Sequence, residues 1–199
     1  MQTKNEYSII KNMDADLKKA CEVLRKGGII IYPTDTIWGI GCDATNEEAV
    51  KRVYEIKRRS DSKSMLTLLD SSDRLHLYVN ELPDIAYDLI ECTDKPLTII
   101  YSGAKNLAAN LIAPDGTVGI RITKEPFSQA LCKQFGKPIV STSANFSGEP
   151  SPANFSEINP DIFRLIDYVV NYRSDEIQKS KPSSIIRLDK NGVIKIIRE

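Results

Sequence analysis

Lys137-Pro-Ile-Val-Ser-Thr-Ser-Ala-Asn-Phe-Ser-Gly-Glu-Pro-Ser-Pro152 decides how this chain is read. Ile139 and Val140 form a short apolar strand, which breaks into Ser141, Thr142, Ser143 and Asn145 and then into Phe146-Ser147-Gly148. A strand that finishes in small hydroxyl and amide side chains places hydrogen-bonding groups at the carboxyl edge of a sheet, where open α/β sheets bind their ligands. Hydroxyls at that edge offer donors to oxyanions and acceptors to amines without adding charge. In isolation the same residues make an ordinary polar turn.

The surrounding pattern supplies the sheet. Residues 14–26 carry Leu17, Ala20, Cys21 and Leu24 at helical spacing, with Gly27 as a stop. Residues 29–32 predict a buried strand closed by Pro33, and residues 34–41 a structured loop. Thr45-Asn-Glu-Glu48 reads as a capping box opening a helix that turns Val50, Val53 and Ile56 inward and runs to Arg58. Further strands are expected at 65–69, 97–101, 118–122, 138–140, 168–171 and 185–188, and helices at 72–79, 84–92 and 126–135. Asp189-Lys-Asn-Gly192 turns the last of these strands into a hairpin with 193–197. Strands alternating with helices predict a layered α/β domain, and the hairpin makes its sheet mixed. No repeat or linker divides the chain, so residues 7–199 are read as one domain, with 147–159 as a long loop beside the site.

Composition narrows the chemistry. The 199 residues hold 27 basic and 27 acidic side chains, so no global field draws the protein to nucleic acid or membrane. Cys21, Cys42, Cys92 and Cys132 form no C-x-x-C pair and read as reduced thiols. No N-terminal apolar run resembles a signal peptide and no stretch reaches membrane-spanning length, which makes a cytoplasmic protein the expectation. The single histidine, His76, reads as a helix-surface residue and leaves neither a Ser-His-Asp triad nor a His-rich metal site.

Three groups converge with the Ser141–Asn145 segment at one end of such a sheet. Thr34-Asp35-Thr36 sets two hydroxyls around a carboxylate directly after a strand, which suits a ligand carrying an amine and a hydroxyl. Lys57-Arg58-Arg59 and Lys63 form a cationic loop leading into a buried strand, placed to clamp a polyphosphate. Thr117 and Arg121 share one face of a strand, and an arginine among Val118, Ile120 and Ile122 calls for an anionic partner. Neither a Walker loop nor a G-x-G-x-x-G turn occurs, so any nucleotide is held by another architecture. Tyr32 and Trp38 fit an adenine or amino-acid pocket and a core role equally well.

Together these segments resemble the YrdC-like family of threonylcarbamoyl-adenylate synthases. The matching pieces are Tyr32-Pro-Thr-Asp-Thr-Ile-Trp-Gly-Ile-Gly41, Lys57-x-Arg59, Val118-Gly-Ile-Arg121, Ser141-Thr-Ser-Ala-Asn-Phe-Ser-Gly148 and Lys181-Pro-Ser-Ser184, in the family's order across residues 15–198. The resemblance implies a single α/β domain whose twisted mixed sheet, flanked by helices, surrounds a large positively lined cavity. It implies a nucleotidyltransferase that joins L-threonine, bicarbonate and ATP into threonylcarbamoyl-AMP and pyrophosphate, with Mg2+ arriving on ATP and no dedicated protein metal site. A partner transferase then modifies adenosine 37 of tRNAs reading ANN codons, with at most a weak tRNA contact for this chain and no membrane.

By the same resemblance, Thr36, Arg121, Ser141 and Ser183 or Ser184 would hold threonine, with Arg121 on its carboxylate. Arg59, Lys63, Thr117, Ser143, Ser151 and Arg198 would contact ATP, Asn145 would orient phosphate or carbamate, and Lys57 and Arg59 would act catalytically around the α-phosphate. The chain departs from the family at Ser60, Lys63 and Ser64-Met65, and at Leu68, where some members place a threonine-contacting histidine and Thr67 is the substitute. Two alternatives remain at this stage: a family relative with a different acceptor, and a non-catalytic RNA-binding module. Zero net charge and the lack of aromatics beside the basic residues count against the second.

Overall fold

Strand β6 (Ile139–Ser143), the stretch quoted above, joins the two halves of the sheet, pairing antiparallel with β2 (Gly39–Gly41) on one side and with β3 (Leu66–Leu69) on the other. The computed structural model describes residues 2–58, 65–177 and 181–199, the first ten of these by their backbone alone. The remaining strands are β1 (Ile30–Tyr32), β4 (Leu97–Ser102), β5 (Thr117–Ile122), β7 (Tyr168–Val169), β8 (Ser184–Leu188) and β9 (Ile194–Arg198). Among the described residues the sheet runs β7-β1-β2-β6-β3-β5-β4-β8-β9. Three parallel pairs (β1 with β7, β3 with β5, β4 with β8) stand among five antiparallel ones, which makes the sheet mixed as expected.

Helices α1 (Gln2–Arg25), α2 (Glu47–Lys57), α3 (Ile85–Glu91), α4 (Pro126–Phe135) and α5 (Pro160–Phe163) flank it. Ala20, Cys21 and Leu24 of α1 and Phe127, Leu131 and Cys132 of α4 are buried in a core shared with Ile30, Ile40 and Val140 of the sheet. A second apolar cluster joins Ala86 of α3 to Ile99, Tyr101, Val118 and Ile120. Full burial of an aliphatic side chain is worth about 1.5–3 kcal/mol, so these two clusters dominate the fold's stability.

Several local expectations are corrected. Residues 39–41 form β2 instead of loop. A Cβ on Gly41 would lie 2.6 Å from both the Tyr32 ring and the Val140 carbonyl oxygen, so only glycine lets this strand pass so close to its neighbours. Helix α1 starts at Gln2, well before residue 14, since no glycine or proline interrupts the intervening chain. The N-cap of α2 is Asn46, whose side chain accepts from Ala49 N–H, while Thr45 instead donates to Asp43. Residues Ser72–Leu77 form a 3-10 helix capped by Ser71. Strand β7 stops at Val169 because Asp16 on α1 takes the Asn171 and Tyr172 N–H groups at 3.0 and 2.7 Å.

Tyr32 and Trp38 are core residues. The Tyr32 hydroxyl donates to the Val140 carbonyl at 3.2 Å, and Trp38 meets Phe155 edge-on at 4.8 Å between ring centroids. His76 is exposed, with Nδ1 2.6 Å from the Asp73 carbonyl oxygen. The four cysteines are free thiols. Among the described residues no helix is long and apolar enough to cross a membrane.

Candidate active site

Side-chain alternation on β5 sends Val118 and Ile120 into the second apolar cluster and turns Thr117, Gly119 and Arg121 toward a cavity of about 380 Å3. The register continues this face across the sheet, with Gly119 opposite Leu66 and Leu66 opposite Ser141. The β1–β2 connection adds Thr36 from one side, and β8 with β9 adds Ser183 and Arg198 from the other. Ser143 and Ser151 complete the set of sequence-predicted residues found on this wall. Among the described lining residues, the charged ones are Arg121 and Arg198.

Arg121 is the electrostatic centre. It is 2% exposed, its Nη2 lies 3.0 Å from Asp35 Oδ1 and donates to Thr36 Oγ1 at 3.3 Å, and its Nε has no hydrogen-bond partner among the described residues. Burial pulls the guanidinium below its ordinary pKa, and the nearby Asp35 works against that. Burial likewise pushes the Asp35 carboxyl up, with Arg121 opposing. An unsatisfied buried donor costs about 1–3 kcal/mol, which an incoming carboxylate recovers. Thr34 Oγ1 donates to the Ile37 carbonyl at 2.8 Å and accepts from Thr36 N–H at 3.1 Å, fixing the loop that presents Thr36. Gly39 leaves room beside it, since a Cβ there would crowd Ser141 Oγ at 3.1 Å.

Neither Lys57 nor Asn145 is among the described lining residues of the cavity. Lys57 is buried, and its ammonium donates to the carbonyls of Ser143 and Asn145, the latter at 2.7 Å, with Asn145 Oδ1 at 3.3 Å. It braces the end of β6, with the Oγ of the lining residue Ser143 also within reach at 3.4 Å. The Asn145 amide donates to the carbonyls of Phe146 and Glu149 at 3.0 and 2.7 Å and shapes the turn. Helix α2 ends there because Arg58 takes a left-handed conformation, φ 52°, and stacks on Phe146 at 4.4 Å.

Thr67 is not brought to the cavity. It is fully buried, and alternation along β3 places it opposite the lining residue Leu66. Leu68 pairs in register with Arg121. Of the two candidate serines, Ser183 lines the cavity with Oγ 2.9 Å from Thr98 Oγ1, whereas Ser184 opens β8 off the lining. Arg198 donates through Nε and Nη2 to the Ser183 carbonyl at 2.9 and 2.7 Å. Arg59 and Lys63 lie outside the described residues. Thr98 escaped sequence reading, although a threonine inside the apolar run of β4 was the available signal. Ile100, Met65 and Ile185 add apolar lining.

A family model described as "Telomere recombination", covering Sua5, YciO and YrdC, matches residues 22–199. The chain belongs to the Sua5/YciO/YrdC family. Among curated family members, the threonylcarbamoyl-AMP synthase of Pseudoalteromonas translucida is 34% identical over 155 residues, 76% of this chain and 83% of that protein. A putative threonylcarbamoyl-AMP synthase of Methanocaldococcus jannaschii is 35% identical over 92% of this chain and 87% of its own length. Escherichia coli YciO superposes with a TM-score of 0.79 at 26% identity, over 92% of this chain and 88% of that one. P. abyssi Sua5, solved in complex with L-threonine, superposes with a TM-score of 0.78 at 25% identity over 86% of this chain. This chain spans half the length of that Sua5 structure.

Proposed function

We propose that the protein is an L-threonylcarbamoyladenylate synthase, converting L-threonine, bicarbonate and ATP into threonylcarbamoyl-AMP and pyrophosphate. The observation that carries the reading is the buried Arg121 guanidinium, with its unpartnered Nε, in a cavity shared with Thr36 and Ser141. That constellation suits the carboxylate and hydroxyl of a small amino acid. The cavity volume falls within the range of about 300–1,000 Å3 that small-molecule sites occupy.

The threonine amine adds to bicarbonate and water leaves, giving a carbamate. A carbamate oxygen then attacks the α-phosphorus of ATP, and the bond to the pyrophosphate oxygen breaks. Transfer at phosphorus depends on alignment and electrostatic stabilisation, so no nucleophilic side chain is needed. Arg121, Thr36, Ser141 and Ser183 hold threonine, while Ser143, Ser151, Thr117 and Arg198 face the nucleotide. Lys57 serves the reaction by fixing the carbonyl side of Ser143 and Asn145, and Arg59 and Lys63 supply positive charge to the phosphates. Mg2+ enters as part of the ATP substrate. The product passes to a transferase partner for tRNA modification, with only weak tRNA contact by this chain, in the cytoplasm, where its four thiols stay reduced.

Pyrophosphate release by the purified protein tests this. It should require threonine, bicarbonate and ATP together, with threonine replaceable by no acidic or basic amino acid. Release that is indifferent to threonine sinks the assignment. Robust threonylcarbamoyl-AMP formation with no support of tRNA modification by a supplied transferase would favour the relative with another acceptor.

A further inference from the structure

Thr117 opens β5 on the cavity wall, and its hydroxyl is already committed. Thr117 Oγ1 donates to Asp115 Oδ1 at 2.7 Å, and the Thr117 N–H donates to the same oxygen at 3.2 Å. The other oxygen of Asp115 lies 3.1 Å from Arg187 Nη1. The Asp115 carboxyl is held below its ordinary range, first by the Thr117 hydroxyl, with burial opposing it. At neutral pH it is therefore ionised and accepts only.

A threonine hydroxyl has one proton and two lone pairs. With its proton on Asp115, Thr117 turns only lone pairs toward the cavity. Ile100 and Ile185, which also line it, carry side chains without polar atoms. Phosphate oxygens are acceptors as well, and acceptor against acceptor is repulsive. Resting on the adenylation reading, we infer that Asp115 is a positioning residue that makes Thr117 an obligate acceptor. The nucleotide therefore meets Thr117 through a hydrogen-bond donor of its nucleoside, an exocyclic amine or a ribose hydroxyl. The triphosphate lies away from Thr117, toward Ser143 and Ser151.

Binding of ATP, purine riboside triphosphate, 2′-deoxy-ATP and 3′-deoxy-ATP, each with Mg2+, tests this on the full chain. Wild-type protein should bind one of the three analogues about tenfold more weakly than ATP, the size of one lost hydrogen bond. Which analogue weakens identifies the donor as amine or hydroxyl. In Thr117→Val that gap should close to within about twofold, by the logic of a double-mutant cycle. Asp115→Ala frees the hydroxyl proton to turn inward and should shrink the gap to about threefold or less, whereas Asp115→Asn keeps an oxygen acceptor and should preserve it. A merely structural role for Asp115 would weaken all four nucleotides together and leave the gap intact, which overturns the assignment.

Three analogues all within about twofold of ATP in the wild-type protein also overturn it, and that comparison needs no variant. A gap that survives Thr117→Val does the same. Threonine binding checks that each variant is folded. Failure of ATP itself to bind removes the adenylation reading and this inference together, whereas ATP binding without a gap removes only the inference.

Discussion

The two ends of the cavity are built from different parts of the sheet. At one end, Arg121, Ser141 and Thr36 stand on or beside interior strands and are 2, 4 and 8% exposed. At the other, Arg198 comes from β9, the outermost strand, which is exposed at every residue. Its apolar residues Ile194, Ile196 and Ile197 are 41, 62 and 50% exposed, so no second layer packs over them. The interior end is held before any ligand arrives, because moving Arg121 would break a buried ion pair and disturb core strands. At the hairpin end, the side-chain bonds of Arg198 among the described residues go to one carbonyl, that of Ser183. Under the proposed function, a small zwitterion would be read at the buried interior end and the larger nucleotide would meet the exposed hairpin end.

Substitutions should separate the two ends. The largest effect belongs to Arg121→Met, which leaves Asp35 buried without its partner and should cost about 3–5 kcal/mol of stability in denaturant unfolding, with threonine binding abolished. A loss below 1 kcal/mol would mean the pair is not built into the scaffold as described. Next is Lys57→Met, which removes charged donors from two buried carbonyls and should cost about 1.5–3 kcal/mol, with kcat/KM falling through displaced Ser143. Full activity at unchanged stability would break the link between α2 and the end of β6.

Arg198→Ala should behave oppositely. On an exposed hairpin its effect on stability should stay within about 0.5 kcal/mol, while ATP binding weakens about tenfold and threonine binding holds. Equal loss of both ligands would erase the distinction between the ends. The smallest expected difference is between neighbours: Ser184→Ala should leave threonine affinity unchanged, and Ser183→Ala should reduce it by a few-fold. The reverse order would place β8 in the other orientation.

Much of the site was legible because strand periodicity is strict. Even spacing put Thr117 and Arg121 on one face, and all four of Thr117, Arg121, Ser141 and Ser143 line one cavity. The same period shows why Thr67 fails as a substitute contact, since it is one residue out of phase with Leu66. Lys57 was legible as important but not in its direction, because a cation at a helix end can face solvent, ligand or backbone carbonyls. The carbonyls of Ser143 and Asn145 that its ammonium meets are brought there by tertiary packing, which sequence spacing does not carry. Strand β2 was hidden by its glycines, whose value lies in close approach to Tyr32 and Val140 and not in strand propensity. The Asp115–Thr117 bond is local in sequence, yet its meaning depends on a cavity assembled from distant strands.

The most direct test of the preformed interior end is calorimetric titration of L-threonine into the protein without nucleotide. Saturable binding at one site per chain, lost in Arg121→Met and kept in Arg198→Ala, is the predicted result. Threonine binding that requires ATP, or that survives Arg121→Met in folded protein, would contradict a receptor built in advance around Arg121.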